Sequence, residues 1–137
     1  MPVMTTARIN AFLAEPRIAH LVTIHPNQSP HVSPVWYAYS NGQFEIFSDR
    51  NYRKVKNINE NYLTALSIAG ETEPYEYISV EGHMTINTDH VKERGVFIAK
   101  RYQGGEQAEF FISKYFDAET SVILTLSPTK FISWTSD

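Results

Sequence analysis

Arg50, Arg53, Lys54 and Lys56 place four cations within seven residues. They follow an apolar strand pattern, Phe44-Glu45-Ile46-Phe47, that ends in the hydroxyl of Ser48, and a helix begins among them. The start of a helix presents unpaired N–H groups and the positive end of the peptide dipole, so it favours acids. Cations there cost stability unless an anion lies beside them. A phosphate fits the pattern, because backbone N–H groups, a serine hydroxyl and charge-assisted bonds from Arg and Lys are the groups that hold one. A solvated basic helix face is the other reading of the same residues.

A second feature lies just upstream, in Pro30-His31-Val32-Ser33-Pro34-Val35-Trp36. Pro34 cannot donate a ladder hydrogen bond, so the strand is at an edge or a bulge there. Period two puts His31, Ser33, Val35 and Tyr37 on one side and Val32, Pro34, Trp36 and Ala38 on the other. Such a strand leaves backbone N–H and C=O groups free, and a flat heterocycle with its own donors and acceptors could use them.

Other candidates are weaker. The five histidines show no metal-ligand spacing. Glu71, Glu73 and Glu76 surround Pro74 and read as a solvated acidic turn. Phe110-Phe111 and Tyr115-Phe116 have helical spacing and read as core or dimer contact. Tyr102-Gln103-Gly104-Gly105 reads as a substrate mouth or a helix C-cap, and Trp134 as core or as a wall of the site. There is no Gly-rich dinucleotide fingerprint.

The elements that must position these residues are short. An amphipathic helix is expected from about Thr5 to Ala14, with Ile9, Phe12 and Leu13 on one face. Strands follow at Ile18 to His25 and His31 to Ser40, separated by the turn Pro26 to Pro30. Asn41-Gly42 is a strong hairpin signal and leads into the strand Gln43 to Ser48. After the basic helix come strands at Tyr62 to Ala69 and Tyr75 to Thr88, the latter bent at Gly82. Asp89 is expected to cap a helix reaching about Tyr102. A further helix covers Glu106 to Tyr115, and the last strand runs Val122 to Ser136, interrupted at Ser127-Pro128. Six strands and about four helices make a mainly β chain, with an antiparallel sheet closing into a small barrel.

Composition sets the bounds. At 137 residues the chain reads as one domain, 1–137. The net charge of −3 makes the basic cluster a local feature of an acidic protein, which argues against a nucleic-acid binder. The lack of cysteine removes disulfides, thiol catalysis and cysteine metal sites. The first residues lack a signal-peptide pattern, and no apolar run approaches the ~20 residues of a membrane span. A cytoplasmic protein with no membrane partner is the expectation.

In order and separation, the "PHVSPVW" strand, the "FSDRNYRKVKNI" strand-to-helix segment and the "YISVEGHMTI" strand resemble the flavin-binding split barrel family related to pyridoxamine 5′-phosphate oxidase. The resemblance runs from the first helix to Trp134. It implies a six-stranded antiparallel Greek-key split β-barrel, a homodimer, and a flavin mononucleotide (FMN) site at the dimer interface acting on a small-molecule substrate. It places the FMN phosphate on Arg53 and Lys54 with Ser48, and Phe47 beside the ribityl chain. The flavin ring lies along His31, Val32, Ser33, Pro34 and Val35, and Tyr77, often from the partner subunit, reaches it. The resemblance assigns no catalytic acid or base. The true oxidases carry an arginine where His31 stands, a lysine where Trp36 stands, and a substrate-binding tail beyond the equivalent of this C-terminus. Vitamin B6 phosphate oxidation is therefore not the expected activity.

Two alternatives share the fold. One is a reductase using a deazaflavin coenzyme, whose polyglutamate tail calls for a basic groove beyond Arg50 and Lys56; Lys92, Arg94, Lys100 and Arg101 could converge there. The other is a non-enzymatic flavin or haem binder, with His31 or His83 as the axial ligand.

Overall fold

The computed structural model describes residues 3–137. In chain order the elements are α1 (Thr6–Ala14), β1 (Ala19–Ile24), β2 (Pro30–Val35), β3 (Ala38–Ser40), β4 (Gln43–Asp49), α2 (Arg53–Glu60), β5 (Leu63–Ala69), β6 (Glu76–Asn87), α3 (Val91–Lys100), α4 (Gly105–Tyr115) and β7 (Ser121–Thr135). The strands form one antiparallel sheet in the order β2-β1-β5-β6-β7-β4-β3. Its two edge strands, β2 and β3, are consecutive in sequence, with only Trp36 and Tyr37 between them. Three Cα steps span about 11 Å at most, so the sheet curls until its edges meet.

Seven strands therefore replace the six expected, because the run His31 to Ser40 divides. The cause is a side chain remote in sequence. The Tyr102 hydroxyl accepts the Tyr37 amide at 3.0 Å and donates to the Arg17 carbonyl at 2.8 Å. The ladder is interrupted at Tyr37, and the chain leaves β1 to pair with β4. Pro34 lies on the edge strand β2, opposite His20, where its missing N–H is tolerated. The Asn41-Gly42 hairpin is present, with φ of 53° and 76° at its two loop residues, the left-handed pair a type I′ turn requires.

The expected bend at Gly82 is a β-bulge. The β6–β7 register shifts between Glu81 and Gly82, opposite Pro128, and β7 runs on without a break. A Cβ on Gly82 would lie 2.3 Å from the Ser127 carbonyl oxygen, so the two backbones approach closely there. At the start of α3, His90 rather than Asp89 is the boundary residue. It adopts φ 53° and makes no side-chain cap, so the expected Asp89 cap is not formed.

The main core lies inside the curled sheet and is sealed by Phe12 and Leu13 of α1. Tyr37, Phe44, Ile46, Leu66, Ile78 and Leu124 are among its buried members. Helices α3 and α4 form a second layer outside β4, where Ile98, Ile112 and Ile123 are buried beside Trp36 and Phe47. Two contacts set that layer. Arg94 of α3 pairs with Glu45 of β4. Gly95 lets α3 approach so closely that an added Cβ would lie 2.7 Å from the Phe47 ring. Helix α2 is pinned separately, by a buried bond of 3.1 Å from Asn57 Nδ2 to Thr23 Oγ1 on β1. No helix among the described residues is long and apolar enough to cross a membrane.

Candidate functional site

Helix α2 starts without a cap. Tyr52 at its N-cap makes no side-chain bond, and no acid stands in the first turn. The Val55 and Lys56 amides bond to the Tyr52 carbonyl, whereas those of Arg53 and Lys54 have no backbone partner among the described residues. Two free N–H groups and two cationic side chains thus gather where the helix dipole is already positive.

Beside this start lies a cavity of about 410 Å³, within the range of small-molecule and cofactor sites. Its polar end carries Lys54, Ser48, Asp49 and Tyr52. The rest is an apolar slot lined by Pro34, Val35 and Trp36, by Phe47, and by Ile98, Phe111 and Tyr115 of the outer helices. The walls are held by aromatic packing. Trp36 stacks on Tyr102 at 4.7 Å, nearly parallel, and meets Phe111 at 5.2 Å. Tyr102 is fully committed to the fold, and its burial pushes the phenol up to about 12. It therefore braces the slot and does not titrate there.

The polar end is poorly satisfied. Ser48 is buried, and its Oγ has no hydrogen-bond partner among the described residues. Asp49, by contrast, is engaged, accepting from the Asn51 amide at 2.8 Å and from Thr120 Oγ1 at 2.7 Å. Burial holds the Lys54 ammonium below its ordinary value, the mark of a cation held in a partly dry place without a counter-ion.

On β2, His31 pairs opposite Thr23 and Ser33 opposite the buried Leu21, so their side chains lie on the covered face of the sheet. His31 Nδ1 and Ser33 Oγ are buried and without partners. Of the six such orphaned side-chain atoms among the described residues, four belong to His31, Ser33, Ser48 and Asn57. Unsatisfied buried polar groups are costly; the other two atoms belong to Arg101 and Gln103, on either side of Tyr102.

The sequence-predicted residues divide accordingly. Pro34, Val35, Phe47, Ser48 and Lys54 all line the slot. Arg53 does not. It is exposed and lines a second, open hollow with His25, Pro26, Asn27 and Ser29. His31, Val32 and Ser33 lie further along β2, with Val32 pointing outward and exposed. Tyr77 is elsewhere, on β6, stacked at 5.9 Å on Trp134 of β7. His83 is exposed on β6 against Tyr62. The outer wall, with Phe111 and Tyr115, was missed as part of the site; their four-residue spacing was the signal, and it also fits core packing.

Three of the cations expected along a basic groove for a polyglutamate tail have partners within the protein. Arg94 pairs with Glu45, Lys100 lies 3.9 Å from Glu109, and Arg101 donates to the Leu13 and Glu15 carbonyls. Lys92 remains beside Arg50 in a hollow that also contains Glu93 and Glu119.

The family model for pyridoxamine 5′-phosphate oxidase matches residues 5–135. No curated protein matches the chain in sequence at a significant level. Among solved structures, a conserved hypothetical protein from Mycobacterium tuberculosis is similar at a TM-score of 0.84 and 24% identity, covering 97% of this chain and 86% of that one. An F420 reductase is similar at a TM-score of 0.72 and 25% identity, covering 89% and 94%. The haem storage protein HutZ from Vibrio cholerae shares the fold at a TM-score of 0.69 and 12% identity, covering 95% and 93%.

Proposed function

Because this chain belongs to the pyridoxamine 5′-phosphate oxidase family, we propose that it binds a phosphate-bearing flavin, FMN, and uses it to oxidise or reduce a small molecule. The observation that carries the reading is the buried, unpartnered Ser48 hydroxyl beside a half-buried Lys54 at an uncapped helix start. A phosphate monoester satisfies all three at once. It accepts from Ser48 Oγ, from the Lys54 ammonium and from the free amides of Arg53 and Lys54. The apolar slot then takes the flat ring against Pro34, Val35, Trp36 and Phe47. Flavin supplies the redox chemistry, and the protein supplies binding, orientation and exclusion of water.

Arg53 acts from the neighbouring hollow, as an exposed cation at the rim of the phosphate position. Tyr77 lies away from the slot within one chain, so its role belongs to the partner protomer of a homodimer in which β6 of one subunit closes the site of the other. The F420 reductase among the similar structures supports a second reading, a deazaflavin coenzyme in the same slot. The prior engagement of Arg94, Lys100 and Arg101 favours the smaller FMN.

The test is the absorbance spectrum and mass of whatever small molecule copurifies with the protein. Flavin bands that bleach on reduction, with the mass of FMN, are expected. A colourless protein that does not quench added FMN overturns the reading, and a Soret band on haem titration replaces it with a haem carrier.

A further inference from the structure

Lys54 differs from every other lysine of the chain. Lys56, Lys92, Lys100, Lys114 and Lys130 are all exposed, whereas Lys54 is half-buried. It lines the polar end of the slot, and its Nζ lies 5.6 Å from the centre of the Tyr52 ring. Lys100 and Lys130 have a glutamate at 3.9 and 4.0 Å. Among the described residues, no carboxylate forms an ion pair with Lys54. Asp49 lines the same end of the slot but is taken by the Asn51 amide and the Thr120 hydroxyl. The buried Ser48 hydroxyl, without a partner among the described residues, lines that end too. A primary amine is thus held, unpaired, in a cavity whose other walls include Val35, Trp36, Phe47 and Phe111. In the cofactor-free protein its burial favours the neutral amine, the form that attacks a carbonyl carbon.

We propose that Lys54, in the cofactor-free protein, is a carbonyl-reactive amine that captures flat aromatic aldehydes in the slot as imines. The inference goes beyond the flavin reading and does not depend on it. The Nζ lone pair forms a bond to the aldehyde carbon while the C=O π pair moves onto oxygen, towards which the Ser48 hydroxyl donates. The nitrogen gives up its two protons through water to that oxygen, the C–O bond breaks, water leaves, and a C=N bond remains. Nothing is oxidised or reduced, so the step needs no further reactant. A flat ring is the fitting substrate. Trp36, Phe47 and Phe111 offer it aromatic surface, and the charged side chains of the slot, Asp49 and Lys54, stand at one end.

The experiment incubates the full-length, ligand-stripped protein with benzaldehyde near neutral pH and then adds borohydride, which fixes an imine as a stable benzylamine. Peptide mass mapping reads the adduct at each lysine. Expected is an excess at Lys54 of at least about tenfold over any other lysine. No such excess is expected with glyceraldehyde, which carries the carbonyl without the ring. Lys54→Arg keeps a cation at the start of α2 and should lose the preferred adduct, with labelling of the other lysines unchanged. Even labelling of every lysine, or an equal excess at Lys54 with glyceraldehyde, overturns the inference. A parallel titration with FMN separates the two readings. FMN binding without the Lys54 excess overturns this inference and leaves the flavin reading standing. The Lys54 excess without FMN binding does the reverse.

Discussion

Two hydroxyls lie beside the same slot, on Tyr102 and on Ser48, and they are satisfied to opposite degrees. At Tyr102, one hydroxyl receives the Tyr37 amide and donates to the Arg17 carbonyl. The ring above it is stacked on Trp36. At the start of α2, the Ser48 hydroxyl has no partner among the described residues, and burial holds the Lys54 ammonium below its ordinary value. Both regions bury polar atoms beside aromatic walls. One spends them on its own backbone and fixes where the strand breaks. The other leaves them open, at a cost to the free protein that a bound anion would offset. Polar burial that serves the fold closes on itself, and polar burial that serves a ligand does not.

The contrast can be broken from the Tyr102 side first. Tyr102→Phe removes both bonds and leaves the Tyr37 amide and the Arg17 carbonyl unpaired. Each such loss costs about 1–3 kcal/mol, so a clear fall in denaturant midpoint is expected, with FMN affinity unchanged in the protein that remains folded. Lys54→Met should act in reverse. Losing one charge-assisted bond, worth roughly 1.5–3 kcal/mol, weakens FMN about tenfold to a hundredfold in a fluorescence titration. Burial lowers the Lys54 value, so the unfolded chain holds that proton more tightly. Removing the charge should therefore raise the Tm of the cofactor-free protein. A variant that both binds FMN normally and loses stability would place Lys54 with the structural cluster instead.

Ser48→Ala is the smaller version of the same test. A neutral hydrogen bond is worth about 0.5–1.5 kcal/mol, so FMN should weaken by roughly threefold to tenfold with no loss of apo stability. The smallest effect is in pH. The folded-state value of His31 is lowered from its ordinary 6.5, so below that pH the unfolded chain binds more protons. Stability of the cofactor-free protein should therefore decline as pH falls through 6.5. A thermal-melt series should show this decline reduced in His31→Gln.

What was legible in the sequence follows from the range of the forces involved. The Asn41-Gly42 turn, the edge placement of Pro34 and the bend at Gly82 are demands of one residue's own backbone, and each is present in the structure. The cation-rich helix start was equally local, because capping and dipole effects act within one turn. The break in the second strand was not legible, since its cause, Tyr102, acts from 65 residues away. The division of Arg53 from Lys54 was also hidden. Adjacent residues on a helix point about 100° apart, and only the packed structure shows that one faces the slot and the other the open hollow. The outer wall of the slot comes from α3 and α4, whose aromatic spacing is that of any core helix.

The account rests on an anion at the start of α2, and a paired titration of the purified, ligand-stripped protein with FMN and riboflavin tests it most directly. The two ligands share a ring and differ in one phosphate. Binding of FMN at least tenfold tighter than riboflavin, with the gap largely closed in Lys54→Met, is the predicted result. Equal affinity for the two, or a gap that Lys54→Met leaves intact, would contradict a phosphate site at that helix.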